Sequence, residues 1–207
     1  MKFTLTLISI FLFNIVTAQT KFKVVVTETE NWRNIYSLVD EYGKTLKVLD
    51  TTKYYTSMNM NDDTFRYFAI FGIKNHPGWS AIDINENILF QVFNTSFGEP
   101  SPDYLIENKI RIIGNENKIG FANEKGEIII EPQFEIATSF YNGKAIIGKK
   151  CKKIPWGDHE DENGCHHYSI KCEYQGFIDE KGTILKLRNY TFDEIKEEID
   201  WQTYDEY

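Results

Sequence analysis

The sequence predicts an all-β fold: an array of about four hairpin-type repeats, stacked as an open solenoid or a curled sheet and closed by a short C-terminal helix. Three observations predict it. The chain resembles itself at a period of about 40 residues. Each copy sets apolar, β-favouring residues on both sides of a short polar turn. The last stretch abandons that alternation for a helical spacing.

The repeats come first because they set everything else. Residues 37–47, 80–90, 120–130 and 176–186 lay over one another. In each, a small residue and two apolar residues lead into Asp40, Asp83, Asn123 or Asp179, and a glycine follows at Gly43, Gly126 and Gly182. An Asp or Asn side chain can accept hydrogen bonds from its own downstream backbone. Glycine accepts the positive φ of a type I turn followed by a bulge, so these turns fix strand register. In the second copy Glu86 takes the glycine position. That turn is expected to be the least regular, loosened or with Asn87 in the left-handed conformation. A second phrase recurs between the turns, with residues 140–147 laying over 105–112. Each full repeat then holds about three short strands and buries its faces only against its neighbours.

The N-terminus reads as a signal peptide over residues 1–18. Lys2 supplies the positive start, residues 3–16 are mostly apolar, and Val16-Thr17-Ala18 offers small residues before Gln19. A membrane anchor is the rival reading, but the apolar run is shorter than the roughly 18 residues a spanning helix needs. Cleavage implies export to the periplasm or the medium, with no membrane insertion of the mature chain. The chain carries a net charge of −8, and residues 1–18 contain a lysine but no acid, so the mature part is more acidic still. Such a charge disfavours nucleic acid as a partner. Residues 19–190 form the repeat domain, and residues 191–207 the helix and tail. Thr191 and Glu194 have capping-box spacing, and Phe192, Ile195 and Ile199 share one helical face.

An insertion at residues 149–173 enlarges the spacing between the last two repeats. It holds all three cysteines, Cys151, Cys165 and Cys172, and three of the four histidines, His159, His166 and His167. In one reading two cysteines form a disulfide, which an exported location permits and which stabilises by about 3 kcal/mol for a loop of this length. Cys151 with Cys172 would staple the loop base, one cysteine ending a strand and the other opening the next; Cys151 with Cys165 is the alternative. In the second reading Cys165, His166, His167, Cys172 and His159 supply zinc ligands, although the spacing contains no CxxC pair. Trp156, in a Pro-Trp-Gly turn, is a candidate exposed binding aromatic. Elsewhere, alternating aromatics such as Phe65 and Tyr67 are expected to be buried strand residues.

Residues 118–134 and the phrase at 140–145 resemble the WG repeat of bacterial proteins. The Trp-Gly pair that names the family corresponds to Ile119-Gly120 and Gln175-Gly176 here, while Trp79-Ser80 keeps the Trp and loses the Gly. The resemblance implies a β-repeat fold and, at most, an interaction role; it carries no catalytic residues, and family members are often exported. The Ala18-Gln19 ending and the Lys, Asn and Ile bias are similar to exported proteins of Bacteroidetes-type bacteria. No nucleophile elbow, HExxH, P-loop or dinucleotide fingerprint occurs. The sequence is therefore read as a non-enzymatic, cofactor-free interaction module for a protein or glycan. A zinc enzyme or metal-binding protein built on the Cys/His insertion is the alternative.

Overall fold

The computed structural model describes residues 19–30, 34–59, 62–95, 101–155 and 168–203. The segment read as a signal peptide, together with Trp156, His159, Cys165, His166 and His167, lies outside the described residues. The fold is built from one plan used four times. Each unit is a three-strand antiparallel meander: a first strand, a loop, a second strand, the Asp/Asn turn, and a third strand. The first unit is β1 (Lys23–Glu28), β2 (Asn34–Val39) and β3 (Thr45–Val48). An added strand, β4 (Tyr54–Ser57), precedes the second unit of β5 (Ala69–Ile73), β6 (Trp79–Ile82) and β7 (Ile88–Val92). The third unit is β8 (Lys109–Ile113), β9 (Ile119–Asn123) and β10 (Ile128–Phe134). A short β11 (Ile136–Ala137) precedes the fourth, β12 (Ala145–Pro155), β13 (Tyr168–Ile178) and β14 (Ile184–Arg188). The helix α1 (Phe192–Glu198) ends the array.

Three open antiparallel sheets result, ordered β1-β2-β3, β10-β9-β8-β7-β6-β5-β4 and β11-β12-β13-β14. None closes into a barrel, so the array is an open stack. The four turns are near copies. The amides of Gly43, Glu86, Gly126 and Gly182 donate to the carbonyls of Asp40, Asp83, Asn123 and Asp179 at 2.9–3.1 Å. In each turn the Asp or Asn Oδ1 also accepts from the backbone two and four residues on. The second turn is thus as regular as the others, against expectation: Glu86 itself takes the positive φ, 66°. Its carboxylate is held by Lys47 Nζ at 2.8 Å and by the Tyr54 hydroxyl at 2.9 Å, contacts to the preceding unit and to β4 that offset the strained backbone.

Strand alternation sends side chains to both neighbours, and the core is a series of layers between units. Tyr36 and Leu38 of the first unit meet Ala69, Phe71 and Ile82 of the second. Ile70, Ala81 and Phe90 of the second meet Ile110, Ile112 and Ala122 of the third. Phe121 and Ile130 of the third meet Ala145, Ile147 and Ile178 of the fourth. The outward face of the fourth, Ile146 and Phe177, is covered by Ile195, Ile199 and Trp201. The capping box on α1 is present, with Glu194 N donating to Thr191 Oγ1 and Thr191 N donating to the Glu194 carboxylate. Phe65 and Tyr67 depart from expectation: they lie outside the strands, half-buried, under the ammonium groups of Lys23 and Lys21. No helix among the described residues is long and apolar enough to cross a membrane.

Candidate functional site

The register sorts the connections onto two sides of the stack. The Asp/Asn turns share one side with two type I′ turns, Glu107-Asn108 and Asn142-Gly143, all four residues at positive φ. These turns grip one another: the Glu107 carboxylate accepts from Asn142 N at 2.6 Å and Gly143 N at 3.0 Å, and Lys109 Nζ reaches Glu180 at 2.6 Å. This side is closed and structural. The opposite side carries the loops between first and second strands, and there the fourth unit differs from the rest. Instead of a short loop, β12 and β13 run on together as a two-stranded ribbon beyond the sheet.

The ribbon is the candidate functional site. Cys151 and Cys172 face each other directly in the β12–β13 register and are joined by a disulfide. The bond sits within the paired strands rather than at their ends, because β12 continues to Pro155 and β13 begins at Tyr168. The insertion read as a loop therefore has β-ribbon arms. The bond also takes Cys172 out of the predicted zinc set, since a half-cystine offers no thiolate to a metal. The other four members of that set, and Cys165 of the alternative pairing, lie outside the described residues. His76 is exposed in the loop after β5.

The ribbon base is clamped by residues that sequence reasoning missed. Lys150 takes a positive φ of 54°, which turns its amide towards Glu135. The Glu135 carboxylate accepts from Lys150 N at 3.0 Å and Cys151 N at 2.7 Å. The Cys151 amide is the main cause that lowers the Glu135 pKa; burial opposes it, and the Lys150 amide and the Lys118 and Lys149 charges add to the lowering. Lys150 Nζ pairs with Glu173 at 3.1 Å, which raises the lysine. Beyond the clamp, Lys152, Lys153, Ile154, Tyr168, Ile170 and Lys171 are all exposed.

Two other polar features are structural. Asp103, 1% exposed, receives Arg111 Nη2 at 2.6 Å, Nε at 3.0 Å and the Arg111 amide at 2.8 Å, while the guanidinium stacks over Phe93. The position recurs: Asn59 and Thr138 side chains accept the amides of Ile70 and Ile146, the matching residues of β5 and β12. A cleft of about 160 Å³ lies against Phe68, Ile70 and Ile110, with the Asp62–Arg66 ion pair among its lining. Burial pushes Asp62 up, but hydrogen bonds from Thr64 and Arg66 and the Arg66 charge prevail and lower it. Among the described residues, no group of three or more His, Cys, Asp or Glu is placed to hold a metal ion.

The repeat geometry explains the glycine of each Trp-Gly position. A Cβ on Gly120 would sit 2.5 Å from the Ile130 carbonyl oxygen and 2.6 Å from Pro132 N, and one on Gly176 would fall onto the Lys186 carbonyl. Both obstacles are backbone, so neither can yield. No curated protein and no solved structure matches the chain. One family model does, that of the WG containing repeat, over residues 119–150, from β9 through the start of the ribbon. The matched stretch, which comprises β9, β10, β11 and the start of β12, is a WG repeat.

Proposed function

We propose that the chain is exported and acts outside the cytoplasm as a non-enzymatic interaction module, with the disulfide-stapled ribbon as its recognition arm. The observation that carries this reading is the Cys151–Cys172 bond at the foot of a ribbon whose outer residues are exposed. Disulfides persist in oxidising compartments. Cys172 is buried at the foot of the ribbon, so the bond ties the ribbon to the core and holds it in one shape, and a preorganised arm loses less entropy on binding. The N-terminal segment with its small residues before Gln19 supports the same compartment.

The test has two arms. The full chain is expressed in a bacterial host, fractionated, and read by mass spectrometry for its N-terminus and for Cys151–Cys172 linkage. A mature form beginning at Gln19 with the linked peptide is expected in the exported fraction; an uncleaved chain with reduced cysteines in the cytoplasm would overturn export. The purified protein is then screened on glycan and extracellular-protein arrays beside a variant whose residues 150–173 are replaced by a tight turn. Binding that disappears with the ribbon supports the module. Binding that survives its removal, or an absence of any binding, sinks it.

A further inference from the structure

The junction between the second and third units differs from the junction between the third and fourth, and register makes the two comparable. Phe68, Lys109 and Lys144 are equivalent, each standing one residue before the partner of Ile82, Ala122 or Ile178. Arg66 is then the counterpart of Glu107. Glu107 reaches forward to the next unit, where its carboxylate accepts the amides of Asn142 and Gly143. Arg66 reaches back: its backbone exchanges two hydrogen bonds with Phe22, each 2.9 Å, and its guanidinium pairs with Asp62. Its loop is also longer. The side chain that accepts the first-strand amide lies eleven residues before the donor in the second unit, Asn59 to Ile70, but eight in the third and fourth, Asp103 to Arg111 and Thr138 to Ile146. The extra length carries the chain towards the first unit, and the cleft of about 160 Å³ lies at this junction, lined from both units.

Size and lining narrow what fits. A cavity of about 150 Å³ takes one benzene-sized ring. The floor is the core layer itself, Phe68, Ile70 and Ile110 with Leu105 beside them, and it asks for an apolar face on the ligand. The rest of the wall is polar. Asn59 spends Oδ1 on the Ile70 amide, and among the described residues no hydrogen bond engages its Nδ2. Arg66 gives Nη1 to Asp62, which leaves donors on the rest of the guanidinium. The Asp62 carboxylate accepts from Thr64 and Arg66 and has lone pairs beyond those. Donors and acceptors therefore stand together above an apolar floor.

Charge narrows it further. Asp62 and Arg66 are the charged members of the described lining, and they pair and cancel, so the cleft offers no net pull on an ion. A phenyl or aliphatic side chain would satisfy the floor but strip water from Asn59, Asp62 and Arg66 without replacing its hydrogen bonds, which is costly. A sugar ring has both halves of the match: C–H groups on its face, and adjacent hydroxyls at its edge that each donate and accept. We infer that the cleft binds a single neutral hexose ring, its C–H face on the Phe68–Ile70–Ile110 floor and its hydroxyls on Asn59, Asp62 and Arg66. The site is made by the second and third units and uses nothing of the ribbon. One ring supports a dissociation constant on the order of 1 mM. Such a ligand washes off an array, so the arrays report on the ribbon and a titration in solution reports on the cleft.

The experiment titrates the purified, nitrogen-15-labelled full chain in solution with D-glucose, D-galactose and D-mannose, and separately with phenol and with D-glucuronate, following amide and side-chain shifts by NMR. Expected is saturable binding of at least one hexose on the order of 1 mM, with the shifts at Asn59, Asp62, Arg66, Tyr104 and Leu105. Asn59→Asp and Asn59→Thr both keep an acceptor for the Ile70 amide, as Asp103 and Thr138 do in the later units, and both remove the Asn59 NH2 group. Each should weaken hexose binding at least about threefold while its spectrum stays that of the folded protein. Lys181→Glu, at an exposed position in the fourth turn, should leave binding within about twofold. Wild-type affinity in both Asn59 variants, equal loss in Lys181→Glu, or shifts confined to other residues would overturn the site. Saturation by phenol with no hexose binding, or D-glucuronate binding more tightly than every hexose, would overturn the ligand class. No response to any of the probes would overturn both. The variant with residues 150–173 replaced should still bind the hexose; loss of binding with the ribbon would overturn the cleft, whatever the arrays show.

Discussion

Glu86 occupies a position that the other three turns fill with glycine, and its side chain explains why the substitution is tolerated. An L-residue at this φ costs about 1 kcal/mol. Burial alone would raise the Glu86 pKa, but hydrogen bonds from Lys47 and Tyr54 and the charges of Lys47 and Lys53 outweigh it, so the group lies below the ordinary glutamate value of 4.5. A depressed folded-state pKa contributes stability that is complete above the unfolded value and lost as pH falls through the folded one. Glu86→Gln keeps the backbone strain and removes the charge. It should lower stability by about 0.5–1 kcal/mol at pH 7, and urea titrations should show that difference shrinking as pH falls from 5 towards 3; a pH-independent difference would mean that the carboxylate charge is not what matters. Gly176 is the opposite case, where no side chain is possible at all. Gly176→Ala should cost about 3 kcal/mol through collision with the Lys186 backbone, whereas Gly43→Ala, with nothing within 4 Å of its added methyl, should cost only the roughly 1 kcal/mol of its positive φ. Comparable losses in chemical denaturation would refute the close-approach account. The Gly43 turn could be read from its Asp-to-Gly spacing; the regularity of the Glu86 turn could not. Nor could the ion pair and hydrogen bond at Glu86, because Lys47 and Tyr54 belong to other strands and reach it only after the units stack.

At the scale of the element, the ribbon and the helix behave differently because their supports differ. Residues 145–148 are buried and paired with β13, while residues 149–155 rest on β13 alone, on the Glu135 clamp and on the disulfide. Reduction, or the double replacement of Cys151 and Cys172 by serine, should abolish slow amide exchange in residues 151–154 and 168–172 and leave residues 145–148 protected. Loss of protection throughout β12 would show instead that the bond supports the whole unit. The helix owes little to its own propensity, being too short to persist alone. Its hold comes from the capping box and from Ile195, which is 0% exposed against Ile146 and Phe177. Thr191→Ala should cost about 1 kcal/mol and Ile195→Ala about 3 kcal/mol, both measurable by denaturation. An inconsequential Ile195→Ala would mean that α1 does not cap the stack.

For the whole molecule, stability is a chain of neighbour interactions. Three hydrophobic layers join four units and a fourth seats the helix, so the second, third and fourth units each have both faces covered by the chain itself. The same turn position repeatedly meets the unit before it: Glu86 reaches Lys47, Gly126 lies against Leu89 and Gly182 against Ile130, while Gly43 has nothing within 4 Å. Truncation after Arg188 should therefore expose Ile146 and Phe177, lower the unfolding midpoint and raise binding of a hydrophobic dye. Unchanged dye binding and midpoint would argue that the fourth unit closes the stack unaided.

Local chemistry alone dictates much of this molecule. The Asp/Asn-to-Gly turns, the three-strand unit and the capped helix all follow from hydrogen bonds and alternation within a few residues, and the turn and the unit recur often enough to be read as repeats. Cys151 and Cys172 could be paired as one option among two, because strand ends near both cysteines were visible. Folding in three dimensions is what puts these cysteines inside a continuous ribbon, Glu135 at its base, Asp103 against Arg111, and Lys152 opposite Lys171. Those are meetings between residues far apart in sequence. They are fixed by how one unit lies on the next and by strand register, which no local spacing encodes.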